Sequence, residues 1–319
     1  MSRPRIVITD HGFPNLRNEE EVVAAAGADL VVARCKTSGD VIAASRDADA
    51  LLVQWAPVDA AAIASLTHCR VIVRYGIGVD NVDLAAAKAK GIPVCNVPDY
   101  GVHEVAEHTV ALALALIRQL PAIDRRLRSG TWKITPDRPM PSLLGATFAT
   151  AGFGRIARAA HAMMAGFGTK GIAYDPYVPA SAMSAAGVEK VELDALFARA
   201  DILTLHLPLS ADTRHFVNAA RLASMRPHAV LVNTARGGLV DTRALAAALS
   251  AGVVAGAGID VFETEPIEKD HLLLSCPQAL LTSHVAWYSE SSIPRLQRLA
   301  AEEAVRGLKG EPLANQVNR

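Results

Sequence analysis

Gly152-Phe153-Gly154-Arg155-Ile156-Ala157 is the stretch that decides how this sequence folds. It follows the strand-like run Thr147–Ala151 and opens an alanine-rich helical stretch from Arg155 to about Phe167. A second strand-like run, Ile172-Ala173-Tyr174, ends at Asp175. Strand, glycine turn, helix, strand and acid in this order form a βαβ unit suited to a dinucleotide. Gly152 permits the tight turn, Gly154 lets the backbone approach a pyrophosphate, and the small Ala157 lets the helix pack closely on the sheet. The helix N-terminus offers N–H groups and a positive dipole end to the phosphates. Asp175 is expected to accept hydrogen bonds from the ribose hydroxyls and to repel a 2′-phosphate, so the expected cofactor is NAD rather than NADP. The strand before the glycines is less aliphatic than usual, and Gly171 is expected to weaken the next one.

Outward from this unit, short β-branched runs alternate with alanine-rich helical stretches, the pattern of parallel sheets. Toward the N-terminus the strand runs are Arg5–Thr9, Leu30–Val32, Ala50–Val53, Val71–Arg74 and Pro93–Cys95. Helical segments at Leu16–Ala26, Val41–Ser45, Ala60–Ser65 and Leu84–Lys90 separate them, the last with Asp83 as N-cap and Gly91 as its stop. The opening residues Met1-Ser2-Arg3-Pro4 lead directly into the first strand, with no leader expected. A long apolar helix is expected from about His103 to Leu120, ended by Pro121, and buried from Val110 to Ile117. From Arg125 to Leu144, with Trp132, Pro136, Pro139 and Pro141, the chain reads as an irregular arm. Beyond Asp175, strands are expected at Ile202–His206, Ala229–Asn233, Gly256–Val261 and Leu280–Thr282, then a closing helix over Ser291–Leu308.

The 319 residues suffice for two domains, and 32 basic residues balance 32 acidic ones, leaving no excess charge to attract nucleic acid or an anionic membrane. No apolar run is long enough to span a bilayer. Cys35, Cys69, Cys95 and Cys276 are scattered without a metal-ligand spacing, so reduced structural thiols in a cytoplasmic protein are expected, and no metal.

Three strand-end loops each present one residue able to do chemistry: Arg236 in Asn233-Thr234-Ala235-Arg236-Gly237-Gly238, Glu265 in Asp260-Val261-Phe262-Glu263-Thr264-Glu265-Pro266, and His284 in Thr282-Ser283-His284-Val285-Ala286-Trp287. Ligands bind beyond the carboxyl ends of strands in open α/β sheets, where all three fall. A bidentate guanidinium suits a carboxylate, an imidazolium can donate a proton to a nascent hydroxyl, and a carboxylate beside the imidazole fixes its tautomer. Each residue alone is more often structural; three together beside a nucleotide motif point to reduction of a 2-keto acid. His206, followed by Leu207-Pro208, ends a strand and is expected to line the cofactor groove, whereas His108, His161 and Met163-Met164 read as structural.

Over essentially its whole length the sequence resembles the D-isomer-specific 2-hydroxyacid dehydrogenase family. The glycine motif with Asp175, Val232 to Asp241, Asp260 to Pro266, and His284 carry the resemblance. Within the family, Ala286-Trp287-Tyr288-Ser289-Glu290 and Val73-Arg74-Tyr75-Gly76-Ile77-Gly78-Val79-Asp80-Asn81 resemble the branch containing the C-terminal-binding proteins. Ala157 replaces the third glycine and Ser283 the proline usual before the histidine. The resemblance implies two doubly wound parallel-sheet domains with a cleft between them. A flavodoxin-like substrate domain would take residues 1–100 and 289–319, and a Rossmann NAD-binding domain residues 101–288. It implies a homodimer built on the helix and arm of about 103–145. It also implies Arg236 as substrate clamp, His284 as proton donor with Glu265 supporting it, and Arg74, Ile77, Gly78 and Trp287 on the substrate. Gly152, Gly154, Arg155, Ile156, Asp175, His206, Pro208, Thr213, Thr234, Ala235 and Asp260 would meet the cofactor. The substrate would be a small 2-hydroxy or 2-keto acid. The alternatives are a phosphoglycerate-type dehydrogenase and an NAD(H)-sensing binding protein of the co-repressor type.

Overall fold

A computed structural model describes residues 3–319; Met1 and Ser2, read above as leading into the first strand, lie outside the described residues. The chain divides into two compact units, one running up to Gly101 and joined by Tyr288–Arg319, the other spanning Val102–Trp287. The second unit is thus one residue shorter at each end than the 101–288 expected from sequence.

The first unit comprises β1 (Arg5–Ile8), α1 (Arg17–Ala25), β2 (Asp29–Val32), α2 (Ser38–Ser45), β3 (Ala50–Val53), α3 (Ala60–Ser65), β4 (Val71–Arg74), α4 (Leu84–Ala89) and β5 (Val94–Cys95). Its five strands pair in parallel in the order β2-β1-β3-β4-β5. β1 and β3 are aliphatic and buried along nearly their whole length, as a parallel sheet covered on both faces requires. The Asp83 side chain accepts from Ala86 N at 2.9 Å, and Gly91 ends the helix segment in the left-handed region, as the sequence indicated.

The second unit comprises α5 (Val102–Ile117), α6 (Leu120–Arg128), β6 (Thr147–Ala151), α7 (Arg155–Ala165), β7 (Lys170–Tyr174), α8 (Ala180–Ser184), β8 (Val188–Lys190), α9 (Leu193–Arg199), β9 (Ile202–Leu205), α10 (Ala219–Ala223), β10 (Val230–Asn233), α11 (Thr242–Ser250), β11 (Gly256–Ile259) and β12 (Ala279–Leu281). Its sheet runs β12-β11-β10-β9-β6-β7-β8, all parallel. The order reverses between β6 and β9, the switch point at which such sheets bind nucleotides. The edge strand β8 went unread in the sequence because Val188-Glu189-Lys190 holds one apolar residue and two charged ones. α12 (Ser292–Lys309) returns to the first unit and packs on α1, β3 and β4.

Two expectations change. Pro121 does not end the long helix: α5 stops at Ile117, Gln119 turns left-handed at φ 54°, and Pro121 sits in the first turn of α6. Proline is tolerated there because first-turn N–H groups have no intrahelical partner. The irregular arm therefore begins after Arg128, with Trp132, Ile134 and Leu144 exposed along it. Gly171 is not a flaw in β7, because His161 packs where its side chain would be: a Cβ would lie 2.8 Å from His161 Nδ1.

Gly307 tests the packing of the first unit. Helix propensity alone favours Gly307→Ala by about 1 kcal/mol, but the new Cβ would overlap a Val71 methyl. Overpacking of about 1 to 3 kcal/mol should win, so urea denaturation is expected to show Gly307→Ala less stable than wild type.

Candidate active site

The glycine turn lies at the β6/β9 switch point, and two of its glycines do opposite jobs. Gly152 has φ +92°, and a Cβ there would stand 2.5 Å from His206 O, so the loops after β6 and β9 touch only because no side chain intervenes. At Gly154, which caps α7 with no side-chain hydrogen bond, a Cβ would meet nothing within 4 Å. The helix N-terminus therefore opens onto free space, a cradle shaped for an anion. Phe153 N donates to Asp175 Oδ2 and Tyr177 N to Oδ1, each at 2.9 Å, so Asp175 fixes the turn while each oxygen keeps a lone pair for a further donor. Arg155 is exposed and Ile156 packs into the core beneath.

After β9, Thr213 Oγ1 donates to Pro208 O at 2.7 Å and accepts from Ser210 N at 2.8 Å, closing that loop. His206 Nε2 lies 3.0 Å from Thr204 Oγ1. Burial, with His161 adding, pulls the His206 pKa down to about 3, so its imidazole is neutral near pH 7. After β10, Thr234 is buried with its hydroxyl 2.8 Å from that of Thr109, and Ala235 N donates to Asn233 Oδ1 at 3.1 Å.

Arg236, Glu265 and His284 stand on the loops after β10, β11 and β12. His284 Nδ1 lies 2.6 Å from Glu265 Oε2, and Phe262 N donates to Glu265 Oε1 at 2.8 Å. Burial pushes the Glu265 pKa up, but the His284 hydrogen bond and charge, the Phe262 N–H and the Arg236 charge outweigh it and hold the carboxyl below its ordinary range. Arg236 donates from its guanidinium to Ala235 O at 2.6 Å, and its own carbonyl accepts from Asn233 Nδ2 at 2.9 Å. Gly237 is forced: a Cβ there would overlap the backbone of Phe262 and Glu263, so the arginine loop lies directly on the glutamate loop.

Asp260 is fully buried and braces the histidine. Its carboxylate accepts from Thr282 Oγ1 at 2.6 Å and from Val285 N and Ala286 N at 3.0 Å, and its carbonyl accepts from His284 N at 2.8 Å. Trp287 Nε1 donates back to His284 O at 2.8 Å. His108, read from sequence as structural, joins the brace, its Nε2 lying 3.1 Å from Thr282 Oγ1. The sequence carries no signal for that contact, which spans 174 residues, nor for the short pairing of His215 with Glu263 in the same region.

In the first unit, the Arg74 guanidinium lies over the Trp55 ring, 5.4 Å from its centroid. The adjoining loop turns at Gly76, φ +128°, where a Cβ would overlap that guanidinium. Ile77 O accepts from Asn96 Nδ2 at 2.7 Å, which fixes the Ile77-Gly78 backbone.

Residues 110–286 match the model of the D-isomer specific 2-hydroxyacid dehydrogenase, NAD binding domain. The chain belongs to the D-isomer-specific 2-hydroxyacid dehydrogenase family. All of it aligns at 39% identity over 322 residues with D-3-phosphoglycerate dehydrogenase of Mycobacterium tuberculosis (strain ATCC 25618 / H37Rv), but it spans only 59% of that relative's length. It is 33% identical over 339 residues to glyoxylate reductase of Thermofilum pendens, covering 100% of this chain and 96% of that one. The crystal structure of D-lactate dehydrogenase from Aquifex aeolicus complexed with NAD and lactic acid superposes with a TM-score of 0.87 at 26% identity, covering 96% of each chain. These likenesses agree with the two parallel-sheet domains and with an NAD-binding unit around the β6/β9 switch point.

Because the folded Glu265 pKa is lowered, its pairing contributes stability above the ordinary glutamate value of about 4.3 and loses it as pH falls through the folded value. Urea denaturation of wild type and Glu265→Gln is therefore expected to show a gap at pH 7 that narrows on acidification below about pH 4. A gap that widens on acidification would contradict the pairing.

Proposed function

We propose that this chain is an NAD-dependent oxidoreductase acting between D-2-hydroxy acids and 2-keto acids. The observation that carries the reading is the Glu265 carboxylate 2.6 Å from His284 Nδ1. With Nδ1 engaged, the proton to be given or taken sits on Nε2 of the same ring, where a substrate oxygen can receive it. Glu265 holds the ring's orientation and keeps Nδ1 engaged, leaving Nε2 to face the substrate. Arg236 clamps the substrate carboxylate or carbonyl oxygen by charge and paired N–H donors. Arg74 and Trp287 contact the substrate, and the Ile77-Gly78 backbone offers N–H groups to its carboxylate.

NAD supplies or accepts the hydride when bound. Gly152, Gly154, Arg155 and Ile156 would hold its pyrophosphate at the α7 N-terminus, and Asp175 its ribose hydroxyls. His206, Pro208, Thr213, Thr234 and Ala235 would line its remaining length, while Asp260, expected there from sequence, is wholly buried and braces the segment behind them. The open cradle above Gly154 and the two remaining Asp175 lone pairs support the fit. The chain's own contribution to rate is positioning and electrostatics, set up before substrate arrives.

We further propose a homodimer formed through α5 and the following arm, supported by the exposed Trp132, Ile134 and Leu144. A cytoplasmic location accords with four free cysteines. The name of the mycobacterial relative favours a second reading for the substrate, a phosphorylated hydroxy acid.

The test is NADH oxidation against a panel of 2-keto acids that includes glyoxylate, phenylpyruvate and 3-phosphohydroxypyruvate, with NADPH in parallel. Turnover with NADH exceeding that with NADPH is expected, with His284→Asn slower by ~10²–10⁴-fold and Arg236→Ala losing a comparable factor in kcat/KM. Tight NADH binding with no turnover of any substrate would favour a nucleotide-sensing protein instead.

A further inference from the structure

A second carboxylate–imidazole contact lies beside the first. His215, in the segment after β9, has Nε2 2.5 Å from Oε1 of Glu263, two residues before Glu265. Both ends of this contact are anchored. His215 N donates to Gly238 O at 2.8 Å, and its backbone is left-handed at φ +51°, a conformation that residues other than glycine adopt at a cost. Glu263 follows Phe262, the residue against which Gly237 is pressed without room for a Cβ. Three segments, 213–217, 236–239 and 262–265, are therefore linked to one another at this point.

The turn bearing Glu265 needs such an anchor, because its residues 263–266 lie at the surface, with the Glu263 and Glu265 side chains only partly covered, and none of them belongs to the hydrophobic core. Catalytic groups must be held to within about half an ångström of their working geometry, and supporting hydrogen bonds do this where packing cannot. We infer that His215 and Glu263 form a positioning pair that holds the 262–265 turn so that Glu265 stays seated on His284 Nδ1. The inference rests on the acid–base role proposed for Glu265 and His284. Neither His215 nor Glu263 need touch the substrate: the hydrogen bond between them, charge-assisted through the carboxylate, ties the segment after β9 to the turn after β11, so that the two segments flanking the arginine loop move together.

The consequence is chemical as well as mechanical. The Glu265 carboxyl is held below its ordinary range by contacts with His284, Phe262 N and Arg236 that all require the turn to keep its shape. If the turn loosens, these contacts weaken and the carboxyl moves back up towards its ordinary range, so activity is lost at a higher pH on acidification.

The experiment compares wild type with Glu263→Ala, Glu263→Gln, His215→Asn and the Glu263→Ala/His215→Asn double variant. Asparagine is chosen because it tolerates left-handed backbone. Steady-state keto-acid reduction is followed from about pH 3.5 to 9, with NADH binding by fluorescence and thermal unfolding as controls. Glu263→Ala and His215→Asn are each expected to lower kcat by ~3–10-fold, with NADH affinity within about twofold of wild type. The acidic limb of the profile should move to higher pH in both. The double variant should be no slower than the slower single one, because the two residues act as one unit. Glu263→Gln, which keeps an oxygen to accept from Nε2, should recover most of the rate. Wild-type kcat and an unmoved limb in folded Glu263→Ala and His215→Asn would overturn the inference while leaving the acid–base reading standing. Should either fail to fold, the other single variant decides: a lowered kcat with the limb moved to higher pH supports the pair, and wild-type kcat with an unmoved limb overturns it. If Glu265→Gln itself leaves kcat and the limb unchanged, the acid–base reading has failed and the inference falls with it.

Discussion

The carboxylate of Asp260 is the interaction on which the rest of this site depends. It is wholly buried, and a buried charge is costly unless hydrogen bonds replace the water it has lost. Three donors, from Thr282, Val285 and Ala286, do so. They can converge only if the segment after β12 folds back over the end of β11. That fold forces His284 into left-handed backbone at φ +55°, a cost of order 1 kcal/mol that the satisfied carboxylate outweighs. The bond from His284 N to Asp260 O completes the arrangement. The backbone of His284 is thus placed by the hydrogen bonds that satisfy a neighbouring buried acid.

From this anchor the constraint passes along backbone contacts that glycines make possible. Gly237 lets the arginine loop lie on Phe262, and Gly152 lets the nucleotide turn lie on His206. Gly256 and Gly258 let α5 approach β11, where Leu112 and Leu116 occupy the space their side chains would take. Each position brings together segments far apart in sequence, and each forbids the first methyl group that would separate them. The strand ends therefore come into register through a few close approaches, and the loops inherit it.

What the sequence made legible follows from the range of the physics involved. The alternation of strand and helix, the cap at Asp83 and the glycine turn with Asp175 depend on neighbours within about twenty residues, and pattern reading finds such features. The gathering of Arg236, Glu265 and His284 on neighbouring loops was legible because strand ends in a parallel sheet gather on one edge, so topology could stand in for distance. The roles of His108, Thr109 and the His215–Glu263 pair were not, since their partners lie 174, 125 and 48 residues away and no periodicity links them. Pro121 misled because proline breaks a helix interior yet suits a first turn, and only the position of the break tells which applies. Gly171 misled for a similar reason: a missing side chain weakens a strand unless something fills its place, and here His161 does.

The histidines of the second unit show why residue type alone cannot assign a role. His161 lies among Phe148, Phe153 and Thr150, and burial pulls its pKa down to about 4. His206, also desolvated and with His161 nearby, falls further, to about 3. Neither can carry a proton at neutral pH, so neither can serve as the acid in a reduction, although His206 stands at the nucleotide turn. His284 differs in having the Glu265 carboxylate on Nδ1 and in lying on a partly exposed loop. The same sheet edge thus holds a neutral imidazole beside the glycine turn and a carboxylate-paired one beside Glu265. The sorting is done by which ring the fold desolvates and which it pairs, and the carboxylate that pairs with His284 is itself kept ionised by that pairing.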